Sequence, residues 1–247
     1  MRMATSQHIQ RIQTGFLSTR QHLLTALVIV VLPAIFLVAT SRVAGITTKV
    51  LLIDVLVSSW RLVIAYVIAA ALGWLCAIAF YRGRRAALAL PIFDVLQSFP
   101  TFALLPIVRI AWGPSNVTVI AALVITVIWP IFFSVVSAVK HHRQDWEEAV
   151  RIANLRGFPY LRYFLWPISV RGLITGSIIG LGEGWEALVA TEMIVGNPNG
   201  LGQFFLASAA NPLATTLGIL ALLAIIFSVN KMLWLPLLEW SHQTVEE

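Results

Sequence analysis

The feature that most constrains this chain is a series of long apolar segments separated by short basic clusters. The sequence is 59% hydrophobic and 11% charged, whereas about a quarter of the residues in a soluble domain are charged. A helix needs about 20 apolar residues to cross a bilayer. Six segments come near or exceed this length, and we predict an all-α membrane protein with about six transmembrane helices: residues 23–40, 58–81, 86–110, 117–139, 167–195 and 213–237.

The basic residues predict how these spans are oriented. Most of the 17 Lys and Arg residues lie before the first span, directly after the second, or between the fourth and fifth. Because cytoplasmic loops are enriched in Lys and Arg, we expect both termini in the cytoplasm. The chain then divides into a cytoplasmic tail (1–22), a single membrane domain (23–240) with a cytoplasmic loop (140–166), and a second tail (241–247).

Two apolar segments need a separate interpretation. The first span contains Pro33 and is longer than the usual apolar core of a signal peptide, so we expect it to be retained. Residues 46–60, before the second span, are apolar with a few polar breaks. We predict that they form an interfacial helix on the membrane surface.

Motifs of common enzyme classes are missing from the sequence. It contains neither a His-Glu-x-x-His zinc motif nor a Gly-x-Ser-x-Gly elbow. None of its three lysines follows a glycine, so the usual phosphate-binding loop is absent too. We therefore predict no catalytic residue, no metal site and no bound cofactor. The basic clusters orient the spans and do not indicate a nucleic-acid partner.

The loop at 140–166 is too long and too patterned for a simple connection. Its acidic start predicts a short helix over 145–153. Asn154 then suits a left-handed turn residue, and a second, basic and aromatic helix should end at Pro167. Two interpretations follow, a solvated hairpin or a pair of docking helices for a cytoplasmic partner.

This loop resembles the EAA loop of binding-protein-dependent ABC importer permeases. Glu148, Ala149 and Val150 match its Glu-Ala-Ala opening, Asn154 stands at its glycine position and Pro167 at its proline. The spacing is kept, and the departures are Val150 for Ala and Asn154 for Gly. In the family the loop couples the permease to a groove of the ATPase subunit. The resemblance implies that role for these residues: Glu147, Glu148, Ala149, Asn154, Gly157 and Pro167.

Further segments resemble the nitrate, sulfonate, taurine and bicarbonate branch of this family. They are residues 58–74, 90–113, 184–194 and 199–204. The resemblance implies the type I, MetI-like permease fold with its core at 58–240, in a bacterial inner membrane. It also implies a second permease copy as a homodimer, surrounding lipids and ATPase subunits that bind ATP–Mg. A periplasmic or lipid-anchored solute-binding protein would deliver a small anion.

The fifth span carries a stripe of small residues. Gly172, Gly176, Gly180 and Gly184 recur every four residues, which places them on one helix face. Such stripes let two helix backbones approach closely in lipid. The contact could lie within one subunit or between two permease copies.

Polar residues at membrane depth are candidates for the translocation path. Gln97, Ser98 and Thr101 flank Pro100 in the third span, and a proline break is tolerated only where protein or water surrounds it. We hypothesise that these three residues line the path, although they could instead satisfy neighbouring helices. Arg109, near the outer end of this span, is the candidate for attracting an anion.

Three carboxylates in the fifth span conflict with an anionic cargo, which they would repel. A carboxylate buried at membrane depth costs free energy unless it faces water or a partner. The residues concerned are Glu183, Glu186 and Glu192. They could pair with arginines, point away from the path, or indicate a cargo that is not an anion.

The rival to an ATP-driven permease is a stand-alone carrier driven by an ion gradient. Such carriers often have inverted repeats with paired broken helices. The third span is broken, but the second half of the sequence shows no matching break. A membrane-embedded enzyme or scaffold is a further alternative, without a catalytic constellation to support it.

Overall fold

The structure is a computed structural model that describes residues 28–141, 144–234 and 236–237. The described chain is helical apart from short connections. Two π-helical turns, Leu161–Leu165 and Asn230–Trp234, interrupt the α-helices. In chain order the α-helices are α1 (Val28–Ala44), α2 (Thr48–Phe80), α3 (Gly83–Gln97), α4 (Thr101–Trp112), α5 (Asn116–Lys140), α6 (Gln144–Ile152), α7 (Gly157–Tyr160), α8 (Trp166–Val195), α9 (Leu201–Ser208) and α10 (Pro212–Val229).

Four helical stretches of the described chain are long and apolar enough to cross a membrane. They are Thr48–Phe80, Asn116–Lys140, Gly157–Val195 and Pro212–Trp234. Helices α3 and α4 together form a fifth candidate that is bent by 79°. Helix α1 is shorter, and the predicted first span begins at residue 23, outside the described residues. The prediction of an all-α membrane protein is confirmed, and six spans are compatible with these helices.

The prediction of a separate interfacial helix over 46–60 is wrong. Helix α2 runs unbroken from Thr48 to Phe80, so the second span begins ten residues before its predicted start at 58. Two of the polar residues in this segment, Asp54 and Ser58, are buried against the rest of the protein. Ser58 donates a hydrogen bond to Glu192, and Asp54 accepts one from the backbone N–H of Gly200. Protein partners, not water, satisfy their polarity.

Only one of the three prolines in the third span lies at a helix break. The third span breaks at Ser98–Pro100, where Pro100 has an extended backbone, while Pro91 and Pro106 lie inside α3 and α4. The predicted end of the second loop helix at Pro167 is also wrong. Pro167 lies directly after the π-helical turn Leu161–Leu165, at the start of α8, and the helical path continues through it from Gly157 to Val195.

The centre of the fold is α5, which packs between α2 and α8. The glycine stripe of α8 faces α5 of the same chain. A Cβ at Gly172 would lie 2.6 Å from Val135 Cα, and one at Gly176 would lie 2.6 Å from Ile131 Cα. Gly180 and Gly184 are packed less tightly, with the Val127 side chain at 3.2 and 3.1 Å from an added Cβ. The stripe therefore brings two backbones together within one subunit.

Candidate functional site

A cavity of about 470 Å³ opens at the break between α3 and α4. The three residues predicted to line a path, Gln97, Ser98 and Thr101, come together in its wall. The facing wall is formed by α5 and α8. The residues contributed by those two helices are Thr126, Trp129, Pro130, Phe133, Ser134, Ile179 and Glu183.

The α5 wall of this cavity was missed by the sequence reasoning. Thr126, Pro130 and Ser134 are spaced four residues apart, so they share one face of an otherwise apolar helix. A polar stripe centred on a proline was therefore the signal available in the sequence. It resembles the polar residues around Pro100, which the sequence reasoning did select.

Several side chains that line the cavity donate hydrogen bonds to other groups of the protein. Gln97 Nε2 donates to Asp94 Oδ1 at 2.7 Å, and Ser98 Oγ donates to the Asp94 carbonyl oxygen at 3.1 Å. Thr126 Oγ1 donates to the Ala122 carbonyl oxygen at 3.2 Å. The Ser98 and Thr126 oxygens, and the Gln97 amide oxygen, keep lone pairs that can accept further hydrogen bonds.

The three carboxylates of α8 have three different surroundings. Glu192 is fully buried and forms an ion pair with Arg61, at 2.5 Å between Oε1 and Nη1. Glu186 lines an apolar groove between α8 and α10. Glu183 lines the cavity at the α3–α4 break. The pairing with an arginine is therefore confirmed for Glu192, whereas Glu186 and Glu183 face two different hollows.

The Arg61–Glu192 pair is the centre of a buried polar network. Arg61 also donates to the Asn116 side chain and to the Asn199 carbonyl oxygen, both at 2.9 Å. Glu192 accepts from Ser58 and from the Gly202 backbone N–H, again at 2.9 Å. The network satisfies the charges and fastens the connection before α9 to α2 and α8.

Arg109 does not line the cavity. Its guanidinium donates to the Ile194 carbonyl oxygen at 3.0 Å, next to Gly196, whose φ of 73° ends α8 in the left-handed region. A cation at a helix C-terminus satisfies free carbonyl groups and complements the helix dipole. This contact gives Arg109 a structural role, while its role in attracting an anion stays a prediction.

The loop between the predicted fourth and fifth spans forms a helical hairpin, residues 144–165. Helix α6 ends at Ile152, and Asn154, two residues later, has a φ of 47°, which confirms the predicted left-handed turn. The N–H of Leu155 bonds to the Val150 carbonyl and that of Asn154 to the Arg151 carbonyl. These two bonds form a Schellman motif, which closes the end of a helix. Asn154 therefore does here what glycine commonly does at helix ends.

The hairpin presents an outer surface that the rest of the described chain does not cover. Trp146 and Val150 pack against the apolar core, while Glu148 and Ala149 are exposed. Ile152 is 87% exposed and Phe158 is 72% exposed. Exposed apolar side chains of this size, surrounded by charged residues, are typical of an interaction surface.

Comparison with known proteins identifies the family. The sequence profile of the binding-protein-dependent transport system inner membrane component matches residues 69–233. The chain is 34% identical to the nitrate import permease protein NrtB of Synechocystis sp., over 68% of this chain and 60% of the relative. It is 31% identical to the taurine transport system permease protein TauC of Escherichia coli, over 60% of this chain and 52% of the relative.

A third relative is the bicarbonate transport system permease protein CmpB of Synechococcus elongatus, at 27% identity over 46% of this chain and 41% of the relative. The matched region thus spans 60% or less of the length of each of these relatives. The resemblance to the nitrate, bicarbonate and taurine branch is confirmed. The chain belongs to the family of binding-protein-dependent transport system inner membrane components.

Proposed function

We propose that this chain is the permease subunit of an ATP-driven ABC importer and forms the path of a small solute across the inner membrane. The observation that carries the proposal is the uncovered α6 hairpin on a chain whose membrane helices enclose a polar cavity. A transport role without enzymatic chemistry agrees with the family. Separate ATPase subunits bind ATP–Mg, and both termini of the permease lie in the cytoplasm.

The hairpin is the proposed contact with the ATPase subunit. Glu147 and Arg151 lie one turn apart at 3.8 Å on α6, and Glu148 and Ala149 are exposed beside them. Ile152 adds an apolar side chain to the same helix. A partner groove that buries Ile152 and pairs with the charges would gain both affinity and orientation. Asn154, Gly157 and Pro167 set the path of the chain around this helix.

The cavity is the proposed translocation path. Gln97, Ser98 and Thr101 lie where α3 and α4 separate, and irregular backbone at membrane depth requires a protein-lined or wet setting. A second copy of the permease would complete the path as a homodimer within the lipid bilayer. A solute-binding protein, periplasmic or lipid-anchored, would deliver the solute.

The relatives support a small solute with an oxyanion group. Their names give nitrate, bicarbonate and taurine as the transported compounds, and taurine is a sulfonate. We therefore propose an oxyanion-bearing cargo. ATP-driven closure of the ATPase subunits would move the two hairpins together and change the side on which the cavity opens. This coupling requires two states of the permease that ATP and solute bias from different sites.

An ion-driven carrier is the rival function. Carriers with inverted repeats often pair one broken helix with a second in the other half. Within the described residues one helix pair, α3 and α4, is bent at a break. The rival also gives no role to the exposed surface of α6.

Co-purification tests the proposal. We would purify the wild-type chain from its native host in mild detergent and identify the proteins bound to it. We expect an ATPase subunit with wild type and its loss with Glu148→Arg, because Glu148 is exposed and its reversal leaves the core intact. Lys49→Glu, a charge reversal at an exposed residue of α2, is the control. A homogeneous single-chain carrier without ATPase, from a host whose other importers stay intact, would favour the ion-driven rival.

A further inference from the structure

The cavity at the α3–α4 break contains one acidic side chain and no basic one among its described lining residues. Glu183 is exposed within this region of α8, and no described Lys, Arg or His lies within ion-pair distance of it. A carboxylate that faces a confined space repels an anion and attracts a cation. The wall is therefore unfavourable for a plain oxyanion.

The hydrogen-bonding groups of the wall point to the same conclusion. Ser98 and Thr126 donate their hydroxyl hydrogens to backbone carbonyl groups, and Gln97 donates to Asp94. Their oxygen lone pairs add to the acceptors of Glu183. A bound solute that matches these groups brings its own hydrogen-bond donors.

Aromatic side chains complete this half of the wall. Trp129 and Phe133 line the cavity beside Thr126. The faces of aromatic rings attract ammonium groups, most strongly in the case of tryptophan. A carboxylate combined with two aromatic rings forms a suitable setting for a protonated amine.

The other two carboxylates of α8 and the nearby Arg109 do not line this wall. The carboxylate of Glu192 is neutralised by Arg61 in the buried network, and Glu186 lines the separate apolar groove. Arg109 binds the Ile194 carbonyl group and is not part of the wall. Neutral donors remain in the wall, namely the Thr101 and Ser134 hydroxyls, the Trp129 indole N–H and the second amide N–H of Gln97, and they suit the oxyanion end of a solute.

We infer that the cavity selects a zwitterion, a solute whose oxyanion group is accompanied by a protonated amino group that binds at Glu183. This inference rests on the proposed function, because it names the solute class for the proposed path. Glu183 is then the residue that discriminates such a solute from nitrate or another simple oxyanion.

Cysteine labelling tests the charge preference without knowledge of the cargo. Ser98→Cys in a Cys76→Ser background places one thiol in the wall of the cavity. The full chain, in detergent with its co-purified partners, is treated with a trimethylammonium or a sulfonate methanethiosulfonate reagent of similar size. Each rate is divided by the rate with 2-mercaptoethanol, which removes the intrinsic difference between the reagents.

We expect the cationic reagent to be favoured by about tenfold, which is the order of effect of one nearby charge at low salt. Glu183→Gln should remove most of this preference, whereas Glu186→Gln, the same change on the same helix but in the other groove, should retain it. Equal labelling by the two reagents, or a preference unchanged by Glu183→Gln, would overturn the inference. Labelling needs no ATP, so this failure is distinct from failure of the proposed function.

A transport comparison checks the inference on solutes. Taurine and isethionate are sulfonates of similar size that differ by an ammonium group against a hydroxyl group. In proteoliposomes that hold the complete importer, uptake of taurine at least about ten times faster than that of isethionate is expected for one charge pair. Glu183→Gln should narrow this ratio. Isethionate uptake as fast as taurine uptake would contradict the proposal.

Discussion

Helix α8 has two faces with opposite requirements. On one face, Gly172 and Gly176 lie so close to α5 that a Cβ atom would meet backbone atoms at 2.6 Å. On the other face, Gly182 has no neighbouring atom within 4 Å of an added Cβ, and Glu183 and Glu186 are exposed. The residues of the first face are constrained by contacts inside the chain. Those of the second face are constrained by whatever occupies the cavity and the groove.

The carboxylates show the same division. Glu192 is buried in the network, where three groups of the chain hydrogen-bond or pair with it: the Ser58 hydroxyl, the Arg61 guanidinium and the Gly202 N–H. Glu183, nine residues earlier on the same helix, has no such partner among the described residues. A charge that the fold itself satisfies is structural. A charge such as that of Glu183, which faces a cavity without a partner in the described chain, points to a role in binding a solute.

The largest effect is expected from Glu192→Ala. This change leaves the Arg61 guanidinium buried at 3% exposure without its counter-charge. Breaking one side of a buried ion pair costs about 3–5 kcal/mol. The folded fraction, measured by denaturant titration in detergent, should fall strongly, while Glu183→Ala should leave it near wild type. Equal stability losses for the two variants would remove the distinction between the faces.

A smaller effect is expected from Gly176→Ala. The added methyl group would meet Ile131 Cα at 2.6 Å and the Pro130 carbonyl oxygen at 2.8 Å, so α5 and α8 must move apart. Overpacking of this kind costs about 1–3 kcal/mol. The midpoint of thermal unfolding in detergent should fall. An unchanged midpoint would mean that the two helices are not packed as closely as the structure describes.

The smallest effect is expected from Gly182→Ala, six residues further along the same helix. The methyl group enters open space, and alanine favours helix over glycine by about 0.5–1 kcal/mol. The unfolding midpoint should stay constant or rise slightly. A loss as large as that of Gly176→Ala would show that a second permease copy or another partner closes over this face.

Features of single helices were readily predicted from the sequence. The long apolar runs gave α5 and α8 within a few residues of their ends, and the four-residue glycine period correctly predicted one packed face. Asn154 was predicted in the left-handed region because its side chain tolerates that conformation. Each of these features, namely helix length, glycine spacing and turn conformation, depends on residues that are close together in the sequence.

Contacts between distant segments were not predictable in this way. The polar breaks in residues 46–60 suggested a surface helix, but the partner of one of them, Asp54, is the Gly200 N–H, 146 residues away. The stripe of Thr126, Pro130 and Ser134 is visible in the sequence, but its place in a cavity wall follows only from the packing of α5 opposite the α3–α4 break. Only the arrangement of the helices decides whether a polar residue at membrane depth faces a protein partner or open space.

The central claim is that the α6 hairpin communicates with the cavity. The most direct test is the labelling rate of Ser98→Cys, in the Cys76→Ser background, in proteoliposomes that contain the co-purified ATPase subunits. We predict that ATP–Mg changes the rate from the outer side by about tenfold, a typical allosteric coupling, and that Glu148→Arg abolishes this change. A rate that is the same with and without ATP–Mg, in a complex that hydrolyses ATP, would contradict the account.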